Sequence, residues 1–373
     1  METKNGASER PLLLEVKDLK VEFNIRGGVI KAIDGLSFEI RRGETVGIIG
    51  ESGCGKSVTA RAILRMIPKP GKITGGQILY HRQKSQSDQN NAGALDQVVD
   101  MTKVEPDSDL VREIRGGEIA MIFQEPMSSL TPVYTAGAHI GEAVSLHRLL
   151  PIKRVGDQMA DTIMKYRHVT KDESRSIAIE MLRRVGIPKP DTRVDNFPHQ
   201  LSGGQRQRVM IAVALSTEPA ILIADEPTTA LDVSIEAQIL DIMKDLKTTA
   251  NMATMFITHN LGVIANMADE IVVMYMGKAV ERAKTYDLFY NPKHPYTKAL
   301  LKSMPKLSKH KSGERLASIE GMVPDPLHLP TGCVFHPRCP SFMPGKCDKF
   351  VPKWGNVGPD HFTSCLLYED STS

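Results

Sequence analysis

Eight consecutive residues, Gly50-Glu51-Ser52-Gly53-Cys54-Gly55-Lys56-Ser57, follow the short apolar run Glu44-Thr45-Val46-Gly47-Ile48-Ile49 and precede Val58 to Met66, which reads as a helix. The pattern G-x-x-x-x-G-K-[ST] in this setting constrains the chain to a strand, a phosphate-binding loop and a helix, in that order. A phosphate chain must be approached by bare backbone, so Gly50, Gly53 and Gly55 leave room for amide N–H groups, those of Ser52 and Cys54 among them, to curl around it. Lys56 is expected to set its ammonium on the β- and γ-phosphates of a nucleoside triphosphate. The Ser57 hydroxyl is expected to ligate Mg²⁺, with the helix presenting its positive N-terminal end.

The remaining sequence reads as a large α/β domain with an appendage. The 373 residues, 41% of them hydrophobic, suffice for a packed core. A net charge of +3 with 24% charged residues gives no field strong enough to make nucleic acid the main partner. Met1 to Arg10 lacks the apolar core of a signal peptide, and no run of about 18 apolar residues occurs, so the expected location is the cytoplasm.

Leu13 to Val16, Leu19 to Phe23, Leu36 to Ile40 and Val46 to Ile49 read as strands punctuated by Gly27-Gly28 and Arg41-Arg42-Gly43. The polar stretch from His81 to about Asp109 has little to bury and reads as a mobile surface insertion. From residue 137 to 185 apolar and charged positions alternate at helical spacing, with Ile177, Ile179, Met181, Leu182 and Val185 as the apolar set. Strand and helix alternate again from Ala220 to Val280, implying a largely parallel sheet. Beyond Asn291 the composition shifts to Pro, Lys, His and Cys.

Ile221 to Ala224 is a continuous apolar run ending in Asp225-Glu226, as expected of a strand buried on both faces that delivers carboxylates at its C-terminal edge. Asp225 is expected to hold Mg²⁺, directly or through water. Glu226 is placed to polarise the water that attacks the γ-phosphate.

At Leu201-Ser202-Gly203-Gly204-Gln205 the chain resembles the signature of the ATP-binding cassette (ABC) ATPases, and further motifs of that family are present. Gln124, in Met121-Ile122-Phe123-Gln124-Glu125-Pro126, matches the Q-loop, which the resemblance makes a Mg²⁺ and nucleotide contact. Asp232 matches the D-loop and His259 the switch histidine. Phe23 aligns with the residue that stacks on adenine, or serves as a core aromatic. The resemblance implies an ABC-type P-loop NTPase fold over 12–290, with a β-rich N-terminal subdomain, a helical subdomain at about 137–200 and the insertion at about 81–110. It also implies that Ser202, Gly203, Gly204 and Gln205 contact the γ-phosphate held by an opposing cassette, so that ATP joins two cassettes and hydrolysis releases them.

Asn291-Pro292-Lys293-His294-Pro295-Tyr296-Thr297 and the segment Pro324 to Cys339 resemble the C-terminal region, here 291–373, of ATPase subunits of oligopeptide and dipeptide importers. This implies a peripheral subunit on the cytoplasmic face of a prokaryotic membrane, working with a homologous but distinct second ATPase, two transmembrane permeases and an extracytoplasmic substrate-binding protein. Residues 124–140 are the expected docking groove for a permease helix. Glu125 and Thr131 depart from the family's usual Asp and Asn. Nickel, glutathione and oligosaccharide importers use related ATPases and stay open as alternatives to peptide cargo. A soluble ABC ATPase acting on nucleic acid or ribosomes would bring a second cassette, a coiled-coil insertion or a basic patch, and none is visible.

Cys333, Cys339, Cys347 and Cys365 are spaced C-x₅-C-x₇-C-x₁₇-C, without the C-x₂₋₄-C pair usual in zinc sites. Four cysteines from a looping chain suit a [4Fe–4S] cluster, which the importer resemblance also implies. Zn²⁺, with His336 and His361 as reserve ligands, and free or disulfide-linked cysteines are the alternatives.

Overall fold

The computed structural model describes residues 10–82, 97–123, 153–228, 231–303 and 319–369. The chain divides into two compact units, one from Met1–Leu13, Ile40–Glu44 and Lys103–Phe256, the other from Leu14–Glu39, Thr45–Thr102 and Ile257–Ser373.

The second unit carries an antiparallel sheet of β1 (Leu12–Ile25), β2 (Gly28–Arg41), β4 (Gly71–Arg82) and β5 (Gln97–Asp100) in the order β2-β1-β4-β5. Two of the expected strands are one strand, because Asp18 takes a left-handed φ of 46° and shifts the β1–β4 register between Lys17 and Lys20. The bulge moves the alternation by one residue, so Leu14 and Val16 before it and Leu19 and Val21 after it all reach the core. The stretch read as an insertion is partly structured. His81 and Arg82 complete β4, Val98 and Val99 pair with His81 and Tyr80, and Val99 and Met101 are buried.

The same unit holds five strands in the order β11-β12-β10-β9-β3. They are β3 (Thr45–Ile49), β9 (Glu270–Tyr275), β10 (Lys278–Lys284), β11 (Gly355–Gly358) and β12 (His361–Thr363). All five residues of β3 are buried, and it runs parallel to β9 from Val46↔Glu270 to Ile49↔Val273. Burial of Val46, Ile48 and Ile49 stabilises this strand by roughly 2 kcal/mol per side chain. The C-terminal stretch does not stand apart as an appendage: β12 adds to β10 through Glu281↔Thr363 and Arg282↔Phe362.

In the first unit β6 (Ile119–Ile122) and β7 (Ile221–Asp225) pair in parallel, with β8 (Ala253–Ile257) beside β7. All the residues of these strands are buried, which accounts for their unbroken apolar runs. Helices 155–167 and 171–184 pack on each other and on helix 203–216. The helix Lys171–Arg184 is set by a capping box between Thr170 and Glu173 and turns Ala178, Met181 and Leu182 inward; Ile177 and Ile179 lie half-buried on its flanks.

Candidate nucleotide site

The P-loop leaves the end of β3 at Gly50, whose φ of 153° is paired with extreme crowding: a Cβ there would lie 2.2 Å from the Met274 carbonyl oxygen. Gly55, at φ 104°, caps the helix Lys56–Ile63, and a Cβ on it would lie 2.5 Å from the Ala32 carbonyl oxygen. Both positions therefore admit only glycine. The Lys56 Nζ donates to the Gly50 and Glu51 carbonyls, each at 2.9 Å, so the ammonium is held inside the curl of the loop. Ser57 follows in the helix's first turn. Cys54 is buried, and its burial pushes the thiol pKa up, against the opposing pull of Lys56.

Glu51, a variable position of the motif, is the junction of the site. Its N–H donates to the Tyr296 hydroxyl at 2.9 Å, its carbonyl accepts from Lys56, and its carboxylate accepts from Arg338 at 2.7 and 3.1 Å. The hydrogen bonds to Glu51 raise the Arg338 pKa further and keep the guanidinium charged. Tyr296 belongs to the Asn291–Thr297 motif, which wraps a wholly buried Glu281. That carboxylate accepts from the amides of Lys293 (2.6 Å) and His294 (2.9 Å) and lies 2.7 Å from His361 Nε2. Burial alone would raise the Glu281 pKa, but hydrogen bonds from His361 and the two amides outweigh it and lower the value. Phe335 packs against Tyr275, Tyr296 and His294 and closes this cluster.

His259, exposed just beyond β8, belongs to the same unit as the P-loop. The Phe23 ring lies over Gly71, where an added Cβ would be 2.5 Å away, and is half-buried.

The other unit holds the signature and the carboxylates. Ser202 caps helix 203–216, its hydroxyl accepting from the Gln205 amide while the Gln205 side chain accepts from the Ser202 N–H. Gly203 is exposed, with nothing within 4 Å of the place a Cβ would occupy, and Gly204 follows it in the helix's first turn. Asp225 ends β7 almost fully buried, and Glu226 adopts a left-handed φ of 48°. A non-glycine residue there carries strain of order 1–3 kcal/mol, a type of cost concentrated at functional sites. The buried Gln207 donates from Nε2 to the Pro227 carbonyl and so fastens the signature helix to the turn after Glu226. Asp232 is the exposed N-cap residue of helix 233–249. Gln124 and the expected groove 124–140 lie outside the described residues.

All four C-terminal cysteines line one pocket together with His294, Phe335 and His336. Burial raises the thiol pKa values of Cys333, Cys339 and Cys365, the last to about 11, and the neighbouring sulfurs reinforce the effect. Among the described residues no three His, Cys, Asp or Glu side chains form a ready ligand set for a metal ion. No helix among them is long and apolar enough to cross a membrane.

Residues 33–229 match the family model described as ABC transporter. The chain belongs to that family. Residues 280–347 match a second model, described as the oligopeptide/dipeptide transporter C-terminal region. The chain is 42% identical to the oligopeptide transport ATP-binding protein OppD of Bacillus subtilis, covering 96% of this chain and 90% of that one. It is 40% identical to the dipeptide transport ATP-binding protein DppD of the same organism, covering 96% and 95%. The ATP-binding cassette MJ0796, solved as a dimer in a post-hydrolysis state with ADP and Pi, matches at a TM-score of 0.58 and 24% identity. That match covers 73% of this chain and 99% of that one. The α/β ABC cassette fold expected from the sequence is thus confirmed, and as a member of the ABC transporter family the chain is an ATPase that uses ATP and Mg²⁺.

Glu51, Arg338 and Gln207 carry the geometry of the two motif regions, yet no motif assigns a role to their side chains, and Gln207 had no sequence signal at all. Only the proximity of Arg338 to Cys339 and of Glu51 to the P-loop glycines marked those two.

Proposed function

We propose that this chain is the ATP-binding subunit of an importer of di- or oligopeptides, bound peripherally to the cytoplasmic face of the membrane. The observation that carries the reading is the joint between the two matched regions. The Asn291–Thr297 motif of the transporter C-terminal region reaches the P-loop through Tyr296 and Glu51, so the importer-type extension is built into the nucleotide site.

In this reading the amides of Gly50 to Ser57 cradle the phosphates and Lys56 leaves its two loop carbonyls for the β- and γ-phosphate oxygens. The Ser57 hydroxyl is a hard-oxygen donor of the kind that suits Mg²⁺, and Asp225 and Gln124 are the carboxylate and amide that would supply further oxygens of that kind. That ion neutralises charge on the phosphates when bound. Glu226 takes the proton of the attacking water, and His259 positions the γ-phosphate. Ser202 to Gln205 and Asp232 serve the site of an opposing cassette, which suits their place at an exposed helix start. Phe23 stacks on adenine. The partner cassette is a distinct homologous subunit, and two permeases and a substrate-binding protein complete the importer.

In this reading Cys333, Cys339, Cys347 and Cys365 would hold a [4Fe–4S] cluster, with Zn²⁺ as the competing occupant. Four thiols lining one pocket are soft donors of the number and kind that a [4Fe–4S] centre takes. When bound, it would tie together the turns that carry the cysteines.

Reconstitution with the permeases in vesicles, followed by ATP-dependent uptake of a labelled dipeptide, tests the function. Uptake of nickel, glutathione or an oligosaccharide in place of peptide overturns the cargo. A complex with two copies of this chain and no second ATPase overturns the heterodimer.

A further inference from the structure

The C-terminal segment contributes one charged side chain to the P-loop itself. Arg338 lies next to Cys339 in the turn that lines the cysteine pocket, and its side chain is only 4% exposed. Every nitrogen of its guanidinium is engaged. Nη1 donates to Glu51 Oε2 at 2.7 Å and to the Tyr275 hydroxyl at 3.3 Å. Nη2 donates to Glu51 Oε1 at 3.1 Å and the Ile319 carbonyl at 3.4 Å, and Nε donates to the Glu320 carbonyl at 3.2 Å. A bidentate guanidinium–carboxylate pair fixes orientation as well as distance. Because the Glu51 carbonyl also accepts from Lys56 Nζ and from the Cys54 amide (3.3 Å), fixing Glu51 fixes the first turn of the loop.

We propose that Arg338 is a positioning residue for ATP binding: through Glu51 it presets the P-loop, and it thereby makes nucleotide affinity depend on the folded state of the four-cysteine segment. The turn around Arg338 is held by backbone bonds from the Arg338 amide to Phe335, the Cys339 amide to His336 and the Cys333 amide to Cys347. Disorder in that turn is therefore felt at Glu51. Linkage requires the converse as well, with ATP stabilising the cysteine segment by the same factor. The inference rests on the P-loop reading given under Proposed function.

The test measures ATP affinity and the split of KM and kcat in the full chain assembled with its partners. Arg338→Met and Glu51→Gln should each weaken ATP binding about tenfold or more, as the loss of a charge-assisted pair does, with the rise in KM exceeding the fall in kcat. Combining the two should weaken binding no further than either alone, since both remove one interaction. Should Arg338→Met fail to fold, Glu51→Gln carries the test, because it keeps the side-chain shape and the amide bond to Tyr296. ATP affinity within twofold of wild type in folded Glu51→Gln, or additive losses in the double variant, overturns the proposal. Lys56→Ala separates this failure from that of the underlying reading: if it too leaves affinity unchanged, the P-loop reading itself is wrong.

Discussion

Acidification should loosen the joint that carries Tyr296 to the P-loop, and His294 sets the size of the effect. This histidine is 1% exposed, caps helix 295–302 by accepting from the Tyr296 amide at Nδ1 (3.0 Å), and donates its own N–H to Glu281. Burial lowers its pKa from 6.5 to about 4; the Glu281 charge opposes this and Lys298 adds to it. The folded-state value is depressed, so the unfolded chain takes up the proton first. The contribution is complete above pH 6.5 and is lost as pH falls towards 4. The full depression corresponds to about 3 kcal/mol, of which about 2 kcal/mol is gone by pH 5. The hydrogen bonds to Glu281 outweigh its burial and hold it below its ordinary value of 4.5, so that it stays charged further into this range than a free carboxylate does. His294→Asn keeps an acceptor for the Tyr296 amide but cannot titrate. Urea unfolding of the full chain can be followed by the fluorescence of Trp354, the single tryptophan, which stacks on Phe362 of β12. Between pH 7 and pH 5 the wild type should lose about 2 kcal/mol more than His294→Asn. Parallel losses in the two proteins would show that the buried imidazole does not govern this joint.

The parts of the fold legible in sequence are those whose cause is local. The P-loop could be read because its glycines and Lys56 act within eight residues, and β7 because Ile221 to Ala224 is apolar on both faces. The single strand β1 read as two because the left-handed Asp18 inverts the alternation midway. The pairing of β5 with β4 was hidden because four residues give too short a period and the polar stretch before them dominates the composition. The C-terminal segment looked detached for the same reason: β12 has three residues, and Pro and Cys mask its addition to β10. Arg338 and Glu51 are 287 positions apart, and no periodicity links residues at that separation. Glu281 shows how a charge in a strand misleads, since polar residues in strands usually face water. This one is buried because two amides and His361 surround it.

Three further outcomes are expected. Gly50→Ala should lower the melting temperature and abolish ATP binding, because its Cβ would meet the Met274 carbonyl at 2.2 Å on backbone that cannot shift cheaply; an unchanged thermal transition refutes the geometry. Glu226→Gln should bind ATP within a few-fold of wild type while single-turnover hydrolysis falls about 10²- to 10⁴-fold, and hydrolysis at the wild-type rate removes Glu226 as the base. Cys339→Ser should release iron from anaerobically purified protein and, through the neighbouring Arg338, weaken ATP binding in proportion to the order lost in the turn. The two readouts separate occupancy from support. Wild-type protein that is colourless and holds stoichiometric zinc overturns the cluster. Iron loss with unchanged Trp354 unfolding overturns its structural role. Iron loss with a loosened segment but undiminished ATP affinity leaves the cysteine turns as a support for themselves alone, and Arg338 would then hold Glu51 without their help.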